Sequence, residues 1–184
     1  MMVMFQNVLQ KKVVDMVEPK KPVLDTEFWR RRLVEAHATG RGLHSAVFNT
    51  DPENWNRLQN DTAGYLQRHL KRGMKVLDAG CAYGPLYDII QESVRYIGID
   101  ISPDFIEIAK FRHPDIDFRV GDICNLPEFQ GKYFDLVICR SVKNMIQDNE
   151  GDTLWEKMQA ELLRVGRHLL LIGYDADGSE YRYI

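Results

Sequence analysis

Residues 76–90 read VLDAGCAYGPLYDII. An apolar run ends on a carboxylate, Asp78, and passes through Gly80, Cys81, Ala82, Tyr83 and Gly84 into Pro85. Small residues at this spacing let backbone approach a ligand closely, and a helix begun at Pro85 would turn unpaired amides and a positive dipole end toward it. Set between a strand and a helix, such a turn suits the polar groups of a nucleotide-like molecule. Asp100 closes the next apolar run, YIGID, 22 residues beyond Asp78. In doubly wound folds a carboxylate at that strand end accepts hydrogen bonds from ribose hydroxyls, each worth about 1.5–3 kcal/mol when dry. Asp122, in the GDI that follows DFRV, carries a carboxylate able to meet an adenine amino group. All three groups are expected along one sheet edge, at the carboxyl ends of adjacent strands.

Five short apolar runs must supply those strand ends: KVLDA, YIGID, DFRV, FDLVIC and HLLLIG. Runs without alternation belong to strands covered on both faces. The segments between them, PLYDIIQES, 102–112 and 153–164, read as helical crossovers, so the expected class is α/β with a parallel sheet. Ser102-Pro103 and Asp51-Pro52 each pair a capping side chain with a proline where no amide hydrogen is needed. The helix after Asp51 repeats Trp55, Leu58, Thr62, Tyr65, Leu66 and Leu70 at helical spacing and stops at Gly73. Upstream, residues 1–24 mix an apolar stretch with lysines and two prolines. Asp25 then caps a helix bearing Phe28, Trp29, Leu33 and Ala36, which ends near Gly40. Its Arg30, Arg31 and Arg32 read as a solvated face. The organisation expected is an N-terminal helical lid over 1–50 and one α/β domain over 51–184.

Of the 184 residues, 45% are apolar and 28% charged, enough for a real core. Lys plus Arg number 24 against 27 Asp plus Glu, a formal charge of -3, which disfavours nucleic acid as a partner. Cys81, Cys124 and Cys139 form no CxxC pair, which fits reduced thiols in a cytoplasmic protein better than a disulfide framework or a metal site. LLLIG is too short to span a bilayer, and the N-terminus has its apolar residues before its lysines, the wrong order for a secretory signal. A soluble, cytoplasmic protein without metal or membrane partner is expected.

The combined pieces resemble class I S-adenosylmethionine-dependent methyltransferases over roughly residues 51–175. VLDAGCAYG is similar to the signature loop of that family, YIGIDIS to its acidic ribose-binding strand end, GDI to its adenine-contacting loop and FDLVIC to its fourth strand. The resemblance implies a doubly wound, Rossmann-like sheet of order 3-2-1-4-5. It implies S-adenosyl-L-methionine as cofactor, S-adenosyl-L-homocysteine as product, and no metal. Asp78, Gly80, Cys81 and Ala82 would surround the methionine part, and Tyr83 and Gly84 from the same loop with Cys139 and Arg140 from the fourth strand end are further cofactor-binding candidates. Asp100 would hold the ribose hydroxyls, Ile101 would pack on adenine, and Asp122 with Ile123 would read its edge. Two departures stand out. Ala82 occupies a position where glycine is commoner, so its φ is expected to stay negative. The family sheet has seven strands, whereas this chain ends soon after the fifth, so strands 6 and 7 are expected to be reduced or absent. GSEYRYI can supply one short strand at most, leaving an edge that is bare, paired in a homodimer, or covered by the N-terminal segment.

Methyl transfer from a sulfonium is an in-line displacement, so the protein has mainly to position the acceptor and exclude water. A base is needed only for an acceptor that is protonated at working pH. The substrate face is expected from the N-terminal helices and from Arg140, Ser141, Lys143, Asn144 and Tyr174. His37 and His44 are candidates for orienting the acceptor or serving as base, and equally read as helix-end histidines. Arg140 and Lys143 either meet an anionic substrate or are surface charges. Tyr83 and Tyr87 are expected to line the pocket, although Tyr87 also reads as core. The chain has no Asn-Pro-Pro-aromatic or Asp-Pro-Pro-aromatic tetrapeptide, no Asp ending the fourth strand and no Pro-Cys nucleophile. A small-molecule O, N or C acceptor remains. Two alternatives stay open: a cofactor-binding module or non-catalytic subunit, and a nicotinamide-dependent dehydrogenase, for which DAGCAYG lacks the GxGxxG spacing.

Overall fold

A computed structural model of the protein describes residues 25–48, 52–90, 93–142, 152–174 and 180–183. Three helices come first: α1 (Thr26–Ala38), α2 (Leu43–Phe48) and α3 (Pro52–His69). There follow β1 (Lys75–Ala79), β2 (Arg95–Asp100), α4 (Pro103–Arg112), β3 (Asp117–Val120), β4 (Phe134–Arg140), α5 (Asp152–Val165), β5 (Gly166–Tyr174) and β6 (Glu180–Tyr183). The sheet order is β3-β2-β1-β4-β5-β6, with parallel pairing through β5. That is the 3-2-1-4-5 arrangement of the expected doubly wound fold. β6 pairs antiparallel with β5, Leu171 opposite Tyr183 and Tyr174 opposite Glu180. One short strand is thus added beyond the fifth, and the far edge of β5 is paired by this chain itself.

The central strands are buried on both faces, which is why their runs do not alternate. On one face Leu77, Ala79, Val137, Cys139, Leu169 and Leu171 pack with Phe28 and Trp29 of α1 and with Trp155, Met158 and Leu162 of α5. On the other face Val76, Leu136, Ile138, Leu170 and Ile172 pack with Leu58 and Leu66 of α3 and with Leu70 just after it. Asp25 caps α1 by accepting from the Glu27 amide at 2.9 Å, and Ser102 caps α4 by accepting from Phe105 at 3.3 Å. Asp51 and residues 1–24, including the expected connector, lie outside the described residues.

Two expectations are corrected. PLYDIIQES does not form an α-helix; its described part contains only a 3₁₀ turn at Tyr87–Ile89. Pro85 follows Gly84, no side chain caps the turn, and Ile90 is already extended toward β2. Ala82 does not keep a negative φ but sits at +46°. Its amide is drawn to the Asp100 carboxylate, 18 residues away in the chain, and that bond holds the left-handed conformation.

Candidate functional site

The chain runs outward from β1 to β3 and then returns to β4, so a crevice opens at the carboxyl ends of β1 and β4. The turn after β1 has Gly80 at φ 80°, Ala82 at 46° and Gly84 at 81°. Its amides are anchored on β2: Gly80 and Cys81 both donate to the Ile99 carbonyl, at 2.8 and 3.1 Å. The Ala82 amide donates to Asp100 Oδ2 at 2.9 Å, and the Ser102 amide to Oδ1 at 2.9 Å. A carboxylate offers about four acceptor directions, more than these two amides consume. Burial raises the Asp100 pKa, and the backbone amides oppose that rise.

The loop after β3 is tied to the same place. Gly121 donates to the Asp100 carbonyl at 2.9 Å, and Asp122 Oδ1 accepts from the Cys124 amide at 2.8 Å. From α5, Glu161 accepts from the Leu126 amide and Arg164 donates to the Phe129 and Leu126 carbonyls, pinning the far end of this loop.

These segments enclose an open, mostly apolar cleft with a few polar groups converging on it, the character usual for small-molecule and cofactor sites. Gly80, Ala82, Asp100, Ile101, Asp122, Ile123 and Arg140 line it together. The glycine approach is tight: a Cβ on Gly80 would come within 2.5 Å of Val142 Cγ2, and one on Gly121 within 3.0 Å of Ile99 Cγ2. Several other lining residues were not singled out as cleft residues by sequence reasoning: Trp29, Val47, Phe105, Cys124 and Val142. The signal for Trp29 was its apolar face on the first helix, read as packing; it does pack, 5.9 Å from Phe105, and it also walls the cleft.

The remaining candidates lie behind the lining. Asp78 is 2% exposed and accepts a hydrogen bond from the Tyr96 hydroxyl at 2.5 Å. Burial pushes its pKa up to about 6, against the pull of Tyr96 and of the Arg140 charge. Cys81 packs beneath β2, its Sγ 3.0 Å from where a Cβ on Gly98 would lie. Tyr83 is buried near Phe105 with the Arg112 guanidinium 5.2 Å from its ring, and Gly84 packs against Phe118. Cys139 is buried within the sheet core. Tyr87 packs edge-on against Tyr96 at 5.0 Å. His37 is exposed at the end of α1, and His44 stacks on Trp55 at 6.0 Å; neither lines the cleft. Ser141 does line it, whereas Lys143, Asn144 and the side chain of Tyr174 lie outside what is described. Among the described residues no cluster of His, Cys, Asp and Glu could hold a metal, and no helix is long and apolar enough to cross a membrane.

A family model described as a methyltransferase domain matches residues 70–162. The chain is 26% identical over 127 residues to the dTDP-3-amino-3,6-dideoxy-alpha-D-glucopyranose N,N-dimethyltransferase of Streptomyces fradiae, covering 67% of this chain and 49% of that protein. It is 30% identical over 97 residues to the demethylmenaquinone methyltransferase of Paenarthrobacter aurescens, covering 52% and 36%. The chain therefore spans about half or less of the length of these curated relatives. Among solved structures it is similar in fold, with a TM-score of 0.58 and 20% identity, to a chain in the complex between the Haloferax volcanii Trm112 methyltransferase activator and a methyltransferase, covering 80% of this chain and 61% of that one.

Proposed function

The chain belongs to the class I S-adenosylmethionine-dependent methyltransferases, and from that premise we propose that its cleft binds S-adenosylmethionine and that it methylates an O, N or C atom of a small-molecule acceptor. The observation that carries this reading is Asp100, whose carboxylate is held by two backbone amides on the cleft wall with acceptor capacity to spare. The residues fit the cofactor: an acceptor for ribose hydroxyls stands beside the apolar Ile101 and Ile123, and a turn too tight for a side chain at Gly80 stands next to them. Bound there, the cofactor supplies an electrophilic methyl group on a sulfonium.

In this proposal Asp100 receives the ribose hydroxyls, Ile101 and Ile123 flank the adenine, and Asp122 reads its edge. Gly80 and Ala82 offer backbone to the methionine part. Asp78, Cys81, Tyr83, Gly84 and Cys139 support that wall from behind. Trp29, Val47, Phe105 and Val142 provide an apolar surround that excludes water from the reacting atoms. Because Trp29 and Val47 come from α1 and α2, the lid role for the segment within 1–50 is retained. Among the described residues no histidine lines the cleft, so proton removal is assigned to none of them and their part is positioning. Three free buried thiols fit a reducing, cytoplasmic compartment. Titrating the folded protein with S-adenosylhomocysteine in a calorimeter tests the reading; absence of binding overturns it.

A second reading is favoured by one observation. The solved complex that holds the Haloferax volcanii neighbour also contains a methyltransferase activator. The chain would then be a donor-binding subunit that turns over only with a partner. Tight binding of S-adenosylhomocysteine with no methyl transfer until a second protein is added favours that version.

A further inference from the structure

Gln59, half-buried on α3, is committed in two directions at once. Its Nε2 donates to the Pro85 carbonyl at 2.9 Å, and its Oε1 accepts from Arg140 Nη1 at 2.5 Å. One side chain therefore joins the turn that follows Gly84 to the carboxyl end of β4. Arg140 is 5% exposed, with its guanidinium 5.5 Å from the Trp55 ring, and its charge acts on the buried Asp78 carboxylate. Among the described residues lining the cleft, Arg140 is the one cation, and it shares that lining with Asp100 and Asp122.

A donor with an amino-acid end brings a carboxylate into this cleft. Beside Asp100 and Asp122 such a group is repelled, and among the described lining residues Arg140 offers it the opposite charge. We propose that Arg140 receives the carboxylate of the donor's methionine part, and that Gln59 is the positioning residue that orients the guanidinium. This rests on the donor-site reading above and adds a residue, Gln59, that a search for cofactor motifs does not reach. The planar guanidinium matches a carboxylate only in a defined orientation, so a side chain that holds it before the ligand arrives removes part of the ordering cost.

The test compares two probes by calorimetry: S-adenosylhomocysteine, and 5′-methylthioadenosine, which keeps the nucleoside and thioether but has no amino acid. Gln59→Leu and Arg140→Met should each lower the S-adenosylhomocysteine affinity by about tenfold or more. Neither should change the 5′-methylthioadenosine affinity by more than about twofold. The double variant should bind S-adenosylhomocysteine no more weakly than Arg140→Met alone, because Gln59 acts through Arg140. If Arg140→Met does not fold, judged by circular dichroism, Arg140→Lys takes its place under the same criteria, since it keeps the charge and loses the fork. Equal losses for both probes, or losses that add in the double variant, overturn the inference and leave the donor site standing. A wild-type protein that binds neither probe overturns both.

Discussion

The Ala82 amide donates to Asp100 Oδ2 at 2.9 Å, and the bond holds a residue with a side chain at φ +46°. A non-glycine residue in that region costs on the order of 1–3 kcal/mol, so the turn stores strain at the place where it lines the cleft. Ala82→Gly removes the strain and returns ~0.5–1 kcal/mol to unfolded-chain entropy. The variant should therefore be more stable by about 1 kcal/mol, with S-adenosylhomocysteine affinity within about twofold of wild type. Urea unfolding and calorimetry check the two parts. A destabilised variant would contradict the account of the turn.

Asp78 makes stability depend on pH in a direction opposite to that of an ordinary salt-bridged carboxylate. Its pKa is pushed up to about 6 when folded, chiefly by burial, from 3.8 in a model carboxylate. The folded state therefore holds the proton more tightly, and stability falls as pH rises through the window between about 4 and 6. The Tyr96 hydroxyl eases this by bonding the charged form. Tyr96→Phe should raise the folded pKa further and cost about 2 kcal/mol at pH 8, with a smaller loss at pH 5. Denaturant titrations at the two pH values measure the difference. An equal loss at both would mean that Tyr96 contributes packing alone.

The folded protein should resist thiol reagents at neutral pH. Burial raises the Cys81 thiol well above its ordinary range and pushes Cys124 up to about 12; Cys139 is raised as well, and all three are buried. The thiolate is the reactive form. A colorimetric thiol assay should register almost no reaction at pH 8 in native buffer and three thiols in denaturant. Rapid labelling of Cys124, which lines the cleft, would show that this wall opens.

The strands and the place of Asp100 and Asp122 at their ends were legible because both depend on local signals, whereas the strand order was implied by the family resemblance. Strands buried on both faces write unbroken apolar runs, and a carboxylate closing such a run must emerge at the strand's end. What was not legible depends on contacts between residues distant in the chain. The φ of Ala82 is decided by Asp100, and the place of Trp29 by its packing on Phe105. Gln59 sits four residues after Trp55 and three before Thr62 on a half-apolar helix. Nothing in that spacing says that its amide bridges Pro85 and Arg140. The segment PLYDIIQES misled because a short apolar pattern fits one turn of 3₁₀ as well as a helix.

The account depends on Asp100 being the ribose acceptor, and the most direct measurement is calorimetric titration of wild type and Asp100→Ala with S-adenosylhomocysteine under matched conditions. Loss of a charge-assisted acceptor predicts at least about a tenfold drop in affinity. Unchanged affinity in a folded Asp100→Ala protein would place the nucleoside elsewhere and contradict the site described for this cleft.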